Sequence, residues 1–130
     1  MPERIVLFVD DEAILLLALK IQLRSLLSPE YTCETALSAE SALKQIEDFS
    51  AGGQRLAAVV SDWRMPGMKG DEFLRRVRAI RPSCCLILMT GYAENAAVQT
   101  LSAELGLAAT FQKPCDTKAL AAAILKHAGN

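Results

Sequence analysis

Residues 56–70 read LAAVVSDWRMPGMKG. The first five are apolar and suit a buried strand, yet they run straight into Ser61, Asp62, Trp63 and Arg64 before the chain breaks at Pro66 and Gly67. A strand that delivers a carboxylate into a turn either caps the next element or places that carboxylate for chemistry. The stretch that follows, GDEFLRRVRAI (70–80), has helical periodicity and is stopped by Pro82. Strand, polar loop and helix make one βα unit.

The rest of the chain repeats that unit on both sides. Upstream, RIVLFV (4–9) is a short β-branched run suited to a strand covered on both faces, and it ends at Asp10 and Asp11. AILLLALKIQLRSLL (13–27) reads as an amphipathic helix with a greasy face; Lys20 and Arg24 interrupt it, and it is too short to span a bilayer. SPEY supplies a turn into the weaker strand YTCETA (31–36), and Ser38 is placed to cap the helix AESALKQIEDF (39–49), which stops before AGG. Downstream come the strand CLILMT (85–90), the helix AENAAVQTLSAEL (93–105) with Gly106 at its end, and the strand AATFQ (108–112). After Lys113-Pro114 the helix DTKALAAAILKHA (116–128) starts with Asp116 as its cap. Five strands alternating with five helices predict an α/β domain with a parallel sheet, right-handed crossovers and helices on both faces.

Length and composition agree with one compact domain over 1–130, large enough to bury a core without disulfides or a structural metal. The formal charge of −1 gives no broad footprint for nucleic acid or an anionic membrane, and no basic helix offers direct DNA binding, so any partner must be found through a local surface. Cys33, Cys84, Cys85 and Cys115 lack metal-ligand spacing, and no apolar leader precedes the chain. They are expected to be reduced thiols in a cytoplasmic protein, with the Cys84–Cys85 pair read as small buried hydrophobes rather than a redox switch.

In a doubly wound sheet, ligands bind at the carboxyl ends of the strands, near the point where strand order reverses. The first strand delivers Asp10 and Asp11 to that edge, the third Asp62, the fourth Thr90 and the fifth Lys113. Each alone has an ordinary explanation as a cap, a turn or a solvated charge. Together, three carboxylates on one edge repel one another unless a cation sits among them, and a hard divalent ion such as Mg²⁺ suits oxygen ligands of this kind. Lys113 and the Thr90 hydroxyl then read as partners of a phosphoryl group, and Asp62, alone at a central strand, as the nucleophile that would form an acyl phosphate.

In VDDE, SDWRMPGMKG, LMTGY and QKP, in that order, the chain resembles the receiver domain of two-component response regulators over essentially its whole length, in the style of chemotaxis-like receivers. The resemblance implies the flavodoxin-like strand order 2-1-3-4-5. It implies that Asp62 accepts a phosphoryl group from a phosphohistidine on a sensor kinase or histidine phosphotransfer protein. It also implies that Asp11 and Asp62 ligate Mg²⁺ with the Arg64 main-chain carbonyl, Asp10 acting largely through water. Thr90 would be the switch hydroxyl, Lys113 would pair with the phosphoryl group, and the Lys113–Pro114 bond would be cis. Such a domain promotes its own phosphotransfer and autodephosphorylation, and is regulatory rather than an enzyme.

One position departs from the family pattern. Receivers usually carry a Tyr or Phe three residues before the lysine; here that residue is Thr110, and Phe111, one residue later, falls on the opposite face of the strand. Arg64 and Tyr92, two after the acceptor and two after the threonine, are expected to shield the phosphoryl group from water. His127, the only histidine, stands in the last helical turn, where a cation suits the helix dipole, and is not a phosphodonor candidate. The alanine-rich fourth and fifth helices point to a small apolar output face around helix 4, strand 5 and helix 5, for a partner, an attached domain or a second copy. The chain stops after its fifth helix, as expected of a stand-alone receiver or of the N-terminal part of a longer regulator. The alternatives are a phosphorylation-independent interaction module, expected to lack acceptor, acid pair or lysine, and an aspartate-nucleophile phosphatase, expected to carry an aspartate where Arg64 stands. A flavin-binding domain would need a hydroxyl- or glycine-rich loop where the chain has DDEA.

Overall fold

The computed structural model describes residues 4–91 and 95–128. Strands β1 (Arg4–Val9), β2 (Tyr31–Ala36), β3 (Arg55–Asp62), β4 (Cys85–Thr90) and β5 (Ala109–Gln112) alternate with helices α1 (Ala13–Leu26), α2 (Ala39–Ala51), α3 (Gly70–Ile80), α4 (Ala96–Leu105) and α5 (Thr117–Ala128). The strands form one parallel sheet in the order β2-β1-β3-β4-β5. The order reverses between β1 and β3, which places Val9 beside Ser61 at the carboxyl edge. This is the flavodoxin-like doubly wound fold, and no helix among the described residues is long and apolar enough to cross a membrane.

Alternation along the strands divides the core into two layers. Ile5, Leu7, Val9, Val59, Leu86 and Leu88 meet Ile46, Phe73, Leu74, Val77, Val98 and Leu101 on the α2, α3 and α4 side. Val6, Phe8, Val60, Ile87 and Met89 meet Leu16, Leu19, Leu23, Leu120 and Ile124 on the α1 and α5 side. One irregularity interrupts the pattern. The β1–β3 register steps from Ile5 opposite Leu56 to Val6 opposite Ala58, so Ala57 is an extra residue, and Ala57 and Ala58 both belong to the α1 and α5 layer.

Helices α2 and α5 start at side-chain caps, whereas α1 and α3 have none. Ser38 accepts the Ser41 N–H at 3.1 Å, and Asp116 Oδ1 accepts the Lys118 N–H at 2.9 Å. Helix α4 begins at Ala96 rather than at Ala93, because the Asn95 side chain takes the Ala97 N–H at 2.8 Å and fixes the first turn there; Ala93 and Glu94 lie outside the described residues. Gly106 ends α4 in the left-handed region at φ 64°, where a side chain would be strained. Strand β3 includes Asp62, so the carboxylate is the strand's last residue and not the first of a turn.

Cys84 and Cys85 are buried, as expected of small hydrophobes. Burial, with Cys85 beside it, pushes the Cys84 thiol up to about 12, and burial pushes Cys85 up to about 11. Both bind protons in the folded protein at pH values where the unfolded thiols have lost them. The stability they contribute is complete below about pH 9, then falls as pH rises toward 11 and 12. Chemical denaturation between pH 8 and 11 is expected to show a shallower alkaline loss in Cys84→Ala/Cys85→Ala than in the wild type.

Candidate functional site

The strand ends bring the acidic residues into one cluster. Asp10, Asp11 and Asp62 each offer a carboxylate oxygen within 4.8 Å of the others. Asp10 is fully buried, Asp62 nearly so, and Asp11 is exposed. Asp10 Oδ1 accepts the Glu12 N–H at 3.0 Å and shapes the turn into α1, while Oδ2 pairs with Lys113 Nζ at 2.7 Å. Lys113 Nζ also lies 3.3 Å from Asp62 Oδ2, so one ammonium bridges two carboxylates. Asp62 Oδ1 is held separately by the Trp63 N–H at 2.8 Å.

Alternation explains why these three groups meet. Asp62 pairs in register with Met89, and Phe111 with the same Met89, which faces the α1 and α5 layer. Asp10, following Val9 of the opposite layer, and Lys113, two residues after Phe111, share that side. Thr90, at the end of β4, is buried, and its carbonyl accepts the Lys113 N–H at 2.9 Å. The Lys113–Pro114 bond is cis, as expected. Arg64 is exposed and lines a shallow cleft with Asp11, Trp63, Met65, Pro66 and Lys69. Tyr92 lies outside the described residues.

One lysine does not neutralise three carboxylates. Burial and then Asp10 push the Asp62 carboxyl above the usual carboxylate range, against the opposing pull of Lys113 and the Trp63 N–H. Burial works against the Lys113 charge, but the two carboxylates outweigh it and hold the ammonium above its ordinary value. The Lys113 shift, and the part of the Asp62 shift that Asp10 causes, reflect excess negative charge. An all-oxygen set with that excess, half of it open to solvent through Asp11, fits a hard divalent cation such as Mg²⁺.

Thr110 stands opposite Leu88 and Phe111 opposite Met89, so the aromatic packs toward α1 and α5 and the threonine takes the other face. The apolar stripe of α1 is more exposed than periodicity alone conveyed: Ile14, Leu17 and Ile21 are 86%, 59% and 58% exposed.

A site residue to which sequence reasoning gave no role is Gly70. Its N–H donates to the Trp63 carbonyl at 2.8 Å, and a Cβ there would run into the Asp62 carbonyl and come within 2.9 Å of Trp63 Cα. The signal was present as a glycine opening a helix with no turn to require it. Gly70→Ala is expected to force the acceptor strand end aside, costing about 1–3 kcal/mol and slowing any modification of Asp62; denaturation and phosphorylation assays of the variant measure both.

Fold and site together define a doubly wound α/β domain with a lysine-bridged acidic centre at its switch point. The chain belongs to the response regulator receiver domain family, whose model matches residues 6–125. It is 34% identical over 119 residues to the sensor kinase CckA of Brucella abortus, covering 92% of this chain and 12% of that protein. It is 36% identical over 74 residues to sporulation initiation phosphotransferase F of Bacillus subtilis, covering 57% and 59%. The chain thus spans less than two thirds of either relative. Among solved structures, a CheY-like receiver domain protein from Methanospirillum hungatei superposes with a TM-score of 0.80 at 28% identity, over 97% of this chain and 93% of that one. The family is regulatory and acts in two-component systems, and magnesium and phosphoaspartate are typical of it.

Proposed function

We propose that this chain is a phosphorylation-activated switch in which Asp62 takes a phosphoryl group from a phosphohistidine on a sensor kinase or histidine phosphotransfer protein. The observation that carries the reading is the Lys113 ammonium held between Asp10 and Asp62 at the sheet's switch point. In the transfer, the donor's N–P bond breaks, an Asp62 O–P bond forms, and the released imidazole takes a proton from solvent. Mg²⁺, when bound, would neutralise charge on the transferring group. Asp11 and Asp62 would hold it with the Arg64 main-chain carbonyl, and Asp10 through water.

Lys113, already poised 3.3 Å from Asp62, pairs with the new phosphoryl oxygens, and the Thr90 hydroxyl turns to them. Arg64 and Tyr92 shield the phosphoryl group and set how fast the domain dephosphorylates itself. With Thr110 where the family carries an aromatic, the change passes to the surface around α4, β5 and α5 without a rotating ring. That surface serves an output domain, a downstream protein or a second copy, in the cytoplasm, with residues 1–130 acting as one receiver, alone or at the start of a longer regulator. The phosphorylation-independent reading is disfavoured by the acceptor, acid pair and lysine being in place together.

A protein donor also needs somewhere to rest. Ile14, Leu17 and Ile21 recur at helical spacing on the outer face of α1, which starts three residues after Asp10, so the stripe leads away from the site's mouth. We assign it to the donor. Leu17→Glu/Ile21→Glu is expected to slow transfer from a phosphohistidine protein by about tenfold or more, equivalent to ~1.4 kcal/mol of binding, while labelling by a small phosphodonor stays within about twofold. The test of the function is incubation of the wild type with a small phosphodonor and Mg²⁺, read by intact mass. An acid- and base-labile phosphate adduct is expected, and its absence would favour the interaction-module reading.

A further inference from the structure

The loop between β3 and α3 is fastened at its start to the ends of β3 and β4 and closes back on its own first residue. At its start the Trp63 N–H donates to Asp62 Oδ1 and, at 3.2 Å, to the Met89 carbonyl; at its finish the Gly70 N–H returns to the Trp63 carbonyl at 2.8 Å. Met65 is buried in the core between these ends. The tip, residues 66–68, reaches the other way, to the first turn of α2. There Glu40 Oε2 accepts the Met68 N–H at 3.3 Å. Gly67, at φ +78°, fits so closely that a Cβ would stand 2.9 Å from the same oxygen.

An acidic residue in a first helical turn is favourable whatever it touches, because of the helix dipole. Helix α2 already has its cap in Ser38. Neither fact accounts for a left-handed glycine seated against the carboxylate, or for the Met68 N–H pointed at it. Both belong to the loop, and the loop carries the Arg64 carbonyl assigned above to the metal.

We propose that Glu40 is a positioning residue for the acceptor loop: its hydrogen bond to Met68 fixes the loop tip, and through it the backbone that passes Asp11 and Asp62 and completes the Mg²⁺ site. The inference rests on the metal reading given above. Glu40 itself touches neither the ion nor the phosphoryl group.

The test compares Glu40→Ala with Glu40→Gln. Each removes one negative charge and the same helix-dipole contribution, but the amide of Gln keeps an oxygen that can accept the Met68 N–H. Trp63, the single tryptophan, directly follows Asp62, so its fluorescence in the full chain follows a titration with Mg²⁺ alone. Glu40→Ala is expected to weaken Mg²⁺ binding by about threefold or more, and Glu40→Gln to stay within about 1.5-fold of the wild type, as loss and retention of one hydrogen bond to the loop tip imply. Their thermal midpoints without metal should agree with each other. Equal Mg²⁺ affinities in the two variants would overturn the proposal, since a shared loss would come from charge and a shared wild-type value would leave the contact idle. A wild type whose fluorescence ignores Mg²⁺ would instead overturn the metal reading beneath it.

Discussion

Asp62→Asn, incubated with a small phosphodonor and Mg²⁺, is expected to keep its unmodified mass while the wild type gains a labile phosphate. The amide nitrogen and oxygen of asparagine are poor nucleophiles, and the other carboxylates are placed differently: Asp10 is fully buried and committed to Lys113 and the Glu12 N–H, and Asp11 lies open to solvent away from the bridging ammonium. The same substitution has a second expected effect in the absence of metal. Removing one carboxylate from a cluster of three, of which Lys113 pairs with only two, relieves repulsion, so the metal-free variant should melt at a higher temperature than the metal-free wild type. An adduct on Asp62→Asn equal to that on the wild type would remove Asp62 from the role of acceptor.

Lys113→Ala is expected to act in the opposite direction. It strips the counter-charge from a fully buried Asp10 and from Asp62, leaving two carboxylates whose oxygens lie within 4.8 Å without the ammonium between them. Breaking a fully buried pair in this way costs roughly 3–5 kcal/mol, and because Lys113 keeps some access to water a cost of about 2–3 kcal/mol is expected here. Mg²⁺ supplies the missing charge, so it should raise the melting temperature of Lys113→Ala by more than it raises that of the wild type. Thermal melts of both proteins with and without Mg²⁺ measure the difference. Equal gains would mean that the ammonium and the ion do not share the cluster.

The repeating βα units were legible because most of the strands are short apolar runs and the helices have a readable period, in places with a cap, as in CLILMT and Ser38. The acidic residues and Lys113 were legible because parallel strands send every carboxyl end to the same edge. Other features depend on distances that no pattern carries. Gly70 matters through its closeness to Asp62, and Glu40 through a hydrogen bond across twenty-eight residues of sequence. The start of α4 at Ala96 turned on one asparagine side chain, which helical periodicity does not register. The exposure of Ile14, Leu17 and Ile21 was hidden for another reason: the first two turns of α1 carry no polar residue to mark which face is left in water.

The extra residue at Ala57 decides something that composition does not. Side chains on a strand change face with every residue, so counting forward from Leu56 without the step would send Asp62 to the α2, α3 and α4 side, away from Asp10 and Lys113. The step restores the face on which they meet. What this strand requires is a length: exchanging Ala57 or Ala58 for another small apolar residue keeps the facing of residues 59–62, whereas losing either one is expected to invert it. Substitutions there are a question of packing, whereas a one-codon deletion would take the acceptor out of its site while leaving every acidic residue in the sequence.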